Sequence, residues 1–291
     1  MIARTTRFGL LPIVIVGLLI LHLFAADSSP KAKELTFFGW SDQHVETNGD
    51  AEHLAPAIEA MNSLPGTAYP ENIKGQVAVP AFVFGCGDIT EWPTHAAMET
   101  YDHLITERLK FPSYDILGNH DEGGKVPSDT MKKWLISRHG ALRYTFEHAG
   151  VHFLAMFSKY DESLDNPAQP LTQESLNWLR AKLANLDAGT PVIVATHLCF
   201  DALTNRDALV DAIGDANVIA ILGGHYHKAK VDHYGGQHFV QLPSPAPGSP
   251  PEFTVVRITS ERIVGVPYNY EQDKWAEEKH KRLNTSIRWP R

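Results

Sequence analysis

Five short apolar runs in this chain each stop at a residue able to bind a metal ion. Leu35–Trp40 ends at Ser41-Asp42-Gln43-His44, and Val79–Phe84 ends at Gly85-Cys86-Gly87-Asp88. Tyr114–Leu117 ends at Gly118-Asn119-His120-Asp121, Val192–Thr196 at His197, and Val218–Leu222 at Gly223-Gly224-His225-Tyr226-His227. Runs this short, apolar and rich in β-branched and aromatic residues read as buried strands. Helical patterns lie between the earlier ones, near 53–63, 93–109, 128–138, 172–186 and 204–213. In the segment 172–186, Thr172 precedes a stripe of Leu176, Leu179, Leu183 and Leu186, which fits an N-cap and one buried face. Further strand runs at Val151–Phe157, Gln237–Leu242 and Phe253–Ile258 make the second half strand-rich. The expected fold class is therefore α/β, a layered β-sandwich flanked by helices. In open α/β sheets, sites form outside the carboxyl ends of strands, so five such ends can meet in one crevice.

The ligand types are consistent with one another. Asp, His and Asn offer oxygen and imidazole nitrogen without thiolate, a set suited to Mn, Fe or Zn in an open site. The D-x-H and H-x-H spacings place two side chains on one side of an extended segment. Glycines beside Asp88, Asn119 and His225 let the backbone approach closely. A lone D-x-H is weak; G-N-H-D and G-H-x-H after buried strands are stronger, and the ordered set is specific. Gly85-x-Gly87 lacks the third glycine of a dinucleotide fingerprint, and the chain has no G-x-x-x-x-G-K-[ST] loop.

The series Asp42-x-His44, Gly87-Asp88, Gly118-Asn119-His120-Asp121, His197 and Gly224-His225-x-His227 resembles the calcineurin-like metallophosphoesterases over roughly residues 35–260. That resemblance implies two divalent ions, one held by Asp42, His44 and His227 and the other by Asn119, His197 and His225, with Asp88 bridging. It implies that His120 serves as proton donor or phosphate contact, with Asp121 orienting it. A two-metal site clamps attacking and leaving oxygens of an in-line displacement, and a bridging water becomes the nucleophile. The expected activity is hydrolysis of a phosphomonoester or phosphodiester. The alternatives are a non-catalytic metal or phosphate-ligand binder and a membrane-tethered hydrolase of lipid or cell-envelope phosphates. Glu91, three residues after Asp88, stands where purple acid phosphatases carry an iron-binding tyrosine, which points away from that branch and to a supporting role for Glu91.

The rest of the chain sets boundaries. A net charge of −8 excludes an extended nucleic-acid surface, so the expected partner is a small phosphorylated substrate. Two cysteines, Cys86 and Cys199, exclude a disulfide-stapled fold; both are expected to pack beneath the site, with one bridge between them left open. Arg4 and Arg7 precede an apolar stretch from Phe8 to Ala26, so residues 1–26 read as a signal peptide or membrane anchor, with membrane association through the N-terminus if it is retained. Either reading exports the domain (periplasmic, secreted or tethered outside). The phosphoesterase domain is expected over 33–268, and the charged tail 271–291 as a short solvated helix. Segments 45–53, 158–170 and 241–252 are expected as specificity loops; Lys159, Tyr160 and Arg206 follow strand ends and are each read first as a surface residue, with contact of one of them to substrate phosphate as the second reading. His53, His95, His148, His152, His233 and His238 are read as solvated or locally bonded.

Overall fold

The computed structural model describes residues 34–289, apart from 125, 126, 162 and 165. The segment 1–26 lies outside the described residues. No helix among the described residues is long and apolar enough to cross a membrane.

Two sheets face each other, and helices cover both outer faces. The first sheet runs β12 (Lys274–Trp275), β11 (Arg262–Asn269), β10 (Glu252–Ile258), β1 (Leu35–Trp40), β2 (Val83–Cys86) and β3 (Ser113–Ile116), with β13 (Leu283–Ser286) also on β11. The second runs β4 (Tyr144–His148), β5 (Val151–Ala155), β6 (Val192–Leu198), β7 (Val218–Gly224), β9 (Gln237–Gln241) and β8 (Lys230–Tyr234). Within them β1-β2-β3 and β5-β6-β7 are parallel. Their carboxyl ends carry all the expected ligands.

The central strands read as unbroken apolar runs because both of their faces are covered. In β1, Leu35 and Phe37 point between the sheets with Phe84, Phe153 and Leu222. Phe38 and Trp40 point outward against α1 (Ala55–Ser63) and α2 (His95–His103), with Ile58 and Tyr101. The other outer layer is formed by α4 (Gln173–Leu183) and α5 (Arg206–Ile213), whose Leu176, Leu179 and Leu209 bury against Val194 and Ile221. Thr172 caps α4, accepting from Ser175 N–H at 3.3 Å. The expected layered sandwich is thus present, with α3 (Thr130–His139) completing the first outer layer.

Two element readings need correction. The strand expected at 79–84 starts four residues later, at Val83, and Val79 is exposed. The tail is not a solvated helix. Leu283–Ser286 pairs antiparallel with Arg262–Gly265 of β11, and Leu283 is buried, so the tail adds to the sheet an edge strand whose alternation is masked by polar outward residues. Strand β11 itself contains Pro267, which argues against a strand in the sequence. Its carbonyl accepts from Ala276, so its nitrogen also faces that outer edge, in the gap between the β13 pairing (262–265) and the β12 pairing (268–269). No ladder bond is lost there.

Candidate metal centre

The ligand-bearing loops are fastened to each other beyond the strand ends. Asp42 N–H donates to the Gly87 carbonyl at 2.8 Å, His44 N–H to Asp88 at 3.0 Å and Val45 N–H to Ile89 at 2.9 Å. The backbone in these loops is left-handed. φ is 55° at Asp42, 47° at His44, 53° at Asp88, 80° at His225 and 58° at His227. Eight non-glycine residues among those described have positive φ, and five of them are these ligands. Each such residue costs about 1–2 kcal/mol, so the conformation persists only where neighbours fix it. The D-x-H and H-x-H pairs therefore do not sit on extended backbone, as the spacing suggests. Left-handed turns aim them.

Specific donors hold those turns. The buried Ser244 hydroxyl donates to the Asp42 carbonyl at 2.6 Å, and the Asp42 carboxylate accepts from His225 N–H at 2.9 Å. Asp88 Oδ1 accepts from His120 N–H at 2.8 Å. Close approach explains two glycines: a Cβ on Gly118 would lie 2.5 Å from the Asp88 nitrogen, and one on Gly224 would strike the side chains of Ser41 and Asp42.

Two groups of ligand atoms result. In the first, His44 Nε2 lies 3.1 Å from His227 Nε2, which lies 3.6 Å from Asp42 Oδ1. In the second, His197 Nε2 lies 3.1 Å from both Asp88 Oδ2 and Asn119 Oδ1, and His225 Nδ1 lies 3.1 Å from Asn119 Oδ1. His197 Nδ1–H donates to the Cys86 carbonyl at 2.8 Å, so its Nε2 presents a lone pair to the second group. Imidazole nitrogens, the amide oxygen and carboxylate oxygens thus converge, with neighbouring atoms 3.1–3.6 Å apart, the kind of donor set a divalent cation takes up by displacing ring protons. The donor set fits a divalent ion at each group. Further support is electrostatic. Burial lowers His44 to about 3 and His225 to about 4, leaving neutral imidazoles to coordinate. Burial raises Asp42 to about 6. Burial would also raise Asp88, but the His197 imidazole beside it holds its carboxyl well below the usual range. The same contact works against burial at His197, whose imidazole is pushed up to about 10.

His120 stands between the groups and solvent. Its Nδ1–H donates to the Glu91 carbonyl at 2.8 Å, and its ring stacks on Trp92 with centroids 4.7 Å apart and 27° between planes. The ring edge meets His44 at 4.7 Å. Glu91 also places Oε2 2.9 Å from His44 Nδ1 and Oε1 3.8 Å from His120 Nδ1, so these three form a further close cluster of possible ligand atoms beside the other two.

Asp121 does something other than orient His120. Its buried carboxylate accepts from Ile89 N–H (3.1 Å), Thr90 N–H (2.9 Å), the Thr90 hydroxyl (3.0 Å) and Gly118 N–H (2.9 Å). It locks the loop after β2 to the loop after β3, and the imidazole is oriented by Glu91 and Trp92 instead.

The surrounding loops divide. Of 241–252, Ser244 and Ala246 are buried beneath Asp42, so that part is a support and not a wall. Ser158 and Tyr160 line a small cavity with Gly118, Asn119 and His197, which keeps 158–170 at the site. Tyr160 N–H donates to Glu122 at 2.8 Å, and Glu122 pairs with Lys132 at 3.0 Å. Arg206 is not poised for phosphate: its guanidinium donates to the Phe200 and Leu203 carbonyls at 2.8 Å. Cys86 and Cys199 are free and buried, with burial pushing the Cys199 thiol up to about 12. Sequence reasoning missed Ser244, Glu122 and Trp92. The first two carry no local signal, whereas Trp92 stands out as a large aromatic in a polar loop directly after Glu91.

No curated protein matches the sequence. Among solved structures, GAP50, the anchor in the inner membrane complex of Plasmodium, is similar with a TM-score of 0.58 and 13% identity over 89% of this chain and 90% of that one. Vps29 from Entamoeba histolytica, solved with zinc, gives a TM-score of 0.43 and 14% identity over 87% and 99%. The sequence model for the calcineurin-like phosphoesterases matches residues 41–229, which span all seven expected ligands and His120. The chain belongs to the calcineurin-like phosphoesterase family.

Proposed function

We propose that this protein is a metal-dependent phosphoesterase acting on a small phosphorylated substrate at a dinuclear centre. The observation that carries this reading is the pair of adjoining lone-pair clusters, with His120 beside them. Asp42, His44 and His227 would hold one divalent ion and Asn119, His197 and His225 the other, with Asp88 shared. Such ions supply Lewis-acid charge to phosphoryl oxygens and lower the pKa of water. The chain's own groups do the rest. Glu91 holds the Nδ1 proton of His120, so the proton available to a leaving oxygen is the one on Nε2. Trp92 fixes the ring plane, and Asp121 keeps the Asp88 and Asn119 loops in register. Export, by a cleaved signal or an uncleaved anchor, rests on residues 1–26.

The test uses the mature domain with a phosphomonoester and a phosphodiester, with and without added manganese. Metal-dependent turnover of either is expected, and His120→Ala lowers the rate by about 10²–10⁴-fold while metal content stays the same. Full metal loading without turnover would make the protein a binder and not a catalyst.

A further inference from the structure

Trp92 is one of five large hydrophobic side chains exposed among the described residues, at 40%, and the one stacked on a site residue. An exposed indole alone needs no explanation. This one is built in. His120 covers part of it, and the Gly124 backbone packs against its six-membered ring so closely that a Cβ there would lie 2.5 Å from Trp92 Cζ3. Gly124 also has φ +56°, so two independent demands select glycine beneath the indole. The Trp92 carbonyl accepts from Thr94 N–H at 2.8 Å and the Pro93 carbonyl from the Ser128 hydroxyl at 3.3 Å, so the segment carrying the ring is tied at successive residues.

We infer that Trp92 is the leaving-group platform, and that the site takes phosphoesters whose leaving group is planar and aromatic. The inference rests on the phosphoesterase reading above. A group that receives its proton from His120 must lie against His120, and the exposed part of the stacked indole is the apolar surface adjoining that place. Aromatic rings stack on such a surface in offset or edge-on geometry. The Glu91 carboxylate, 43% exposed and 3.8 Å from Nδ1 on the other edge of the His120 ring, disfavours a further anion beside that ring. The preferred ester therefore has a non-anionic leaving group that carries an aromatic ring, as a nucleoside monophosphate or an aryl phosphate has, and not a nucleoside diphosphate or glycerol one.

The manganese-loaded enzyme is assayed on a nucleoside 5′-monophosphate, phosphotyrosine, a nucleoside triphosphate, glycerol phosphate and phosphocholine, which separates the two aromatic sources from the controls. For the better aromatic substrate, Trp92→Ala lowers kcat/KM relative to glycerol phosphate by about tenfold, within the range of stacking on one aromatic side chain, and Trp92→Phe restores most of it. In parallel, nucleoside monophosphate and phosphotyrosine are titrated against intrinsic fluorescence; quenching is expected in the wild type and is lost in Trp92→Phe. Equal losses on every substrate would overturn the platform role and leave Trp92 as a support for His120. Preference for glycerol phosphate or phosphocholine would also overturn it. Quenching without turnover of any ester would sink the hydrolase reading but keep the aromatic site.

Discussion

Replacing Asp121 by Asn separates its structural role from an orienting role at His120. The carboxylate accepts four hydrogen bonds, two at Oδ1 from Thr90 and two at Oδ2 from Ile89 and Gly118. With the amide nitrogen at the Oδ2 position, two backbone N–H groups face a donor. Flipped, it faces Thr90, whose hydroxyl can turn and accept but whose N–H cannot. The better orientation thus loses one bond to a charged acceptor and buries one orphan donor, about 1.5–3 kcal/mol. With a urea m-value of about 3 kcal/mol/M, the midpoint falls by about 0.5–1 M. The assay is urea unfolding of Asp121→Asn and wild type with EDTA present, so that metal binding does not contribute. If Asp121 only oriented His120, the variant would lose rate and keep its stability. A metal-free midpoint within 0.1 M of wild type would refute the clamp.

Other outcomes follow from the same geometry. Ser244→Ala removes the donor to the Asp42 carbonyl and the acceptor for Ala246 N–H, so it weakens manganese binding at the first ligand group; an unchanged isotherm by calorimetry would contradict the support role. Asp115 is buried, and burial raises its carboxyl to about 6 from 3.8, so the native state holds the proton more tightly than the unfolded chain. Stability from this group is therefore greatest below about pH 4 and is withdrawn as pH climbs to about 6. Asp115→Asn removes this titration, so the fall of the urea midpoint between pH 4 and 6 should flatten; a slope equal to that of the wild type counts against this. Glu122→Ala removes the acceptor of Tyr160 N–H and the carboxylate beside Lys132, so hydrogen exchange in 158–170 should rise severalfold, and unchanged protection would show that other contacts hold the loop.

The candidate ligands were legible because each sits where a buried apolar run stops, and such runs show in a single sequence. The means of aiming them was not. The D-x-H spacing suggests extended backbone, yet Asp42, His44, Asp88, His225 and His227 are left-handed, held by partners such as Ser244, 202 residues from Asp42. Asp121 shows the same limit: the resemblance implies an orienting role at His120, whereas its carboxylate meets Ile89 and Thr90, 32 and 31 residues away. The missed strands β8 and β13 are edge strands with polar outward faces, and β11 hides a proline in an unpaired gap. Periodicity reports burial, and these segments are buried on one side or supported from far along the chain.

The central claim is that two adjoining clusters each hold a divalent ion. Its most direct test is the metal content of the purified domain, measured by mass spectrometry after equilibration with manganese and removal of free ion. Two ions per chain are expected, falling to one in Asn119→Ala, which loses an oxygen 3.1 Å from both His197 Nε2 and His225 Nδ1. One ion or none in the wild type, or two in the variant, would contradict the dinuclear centre.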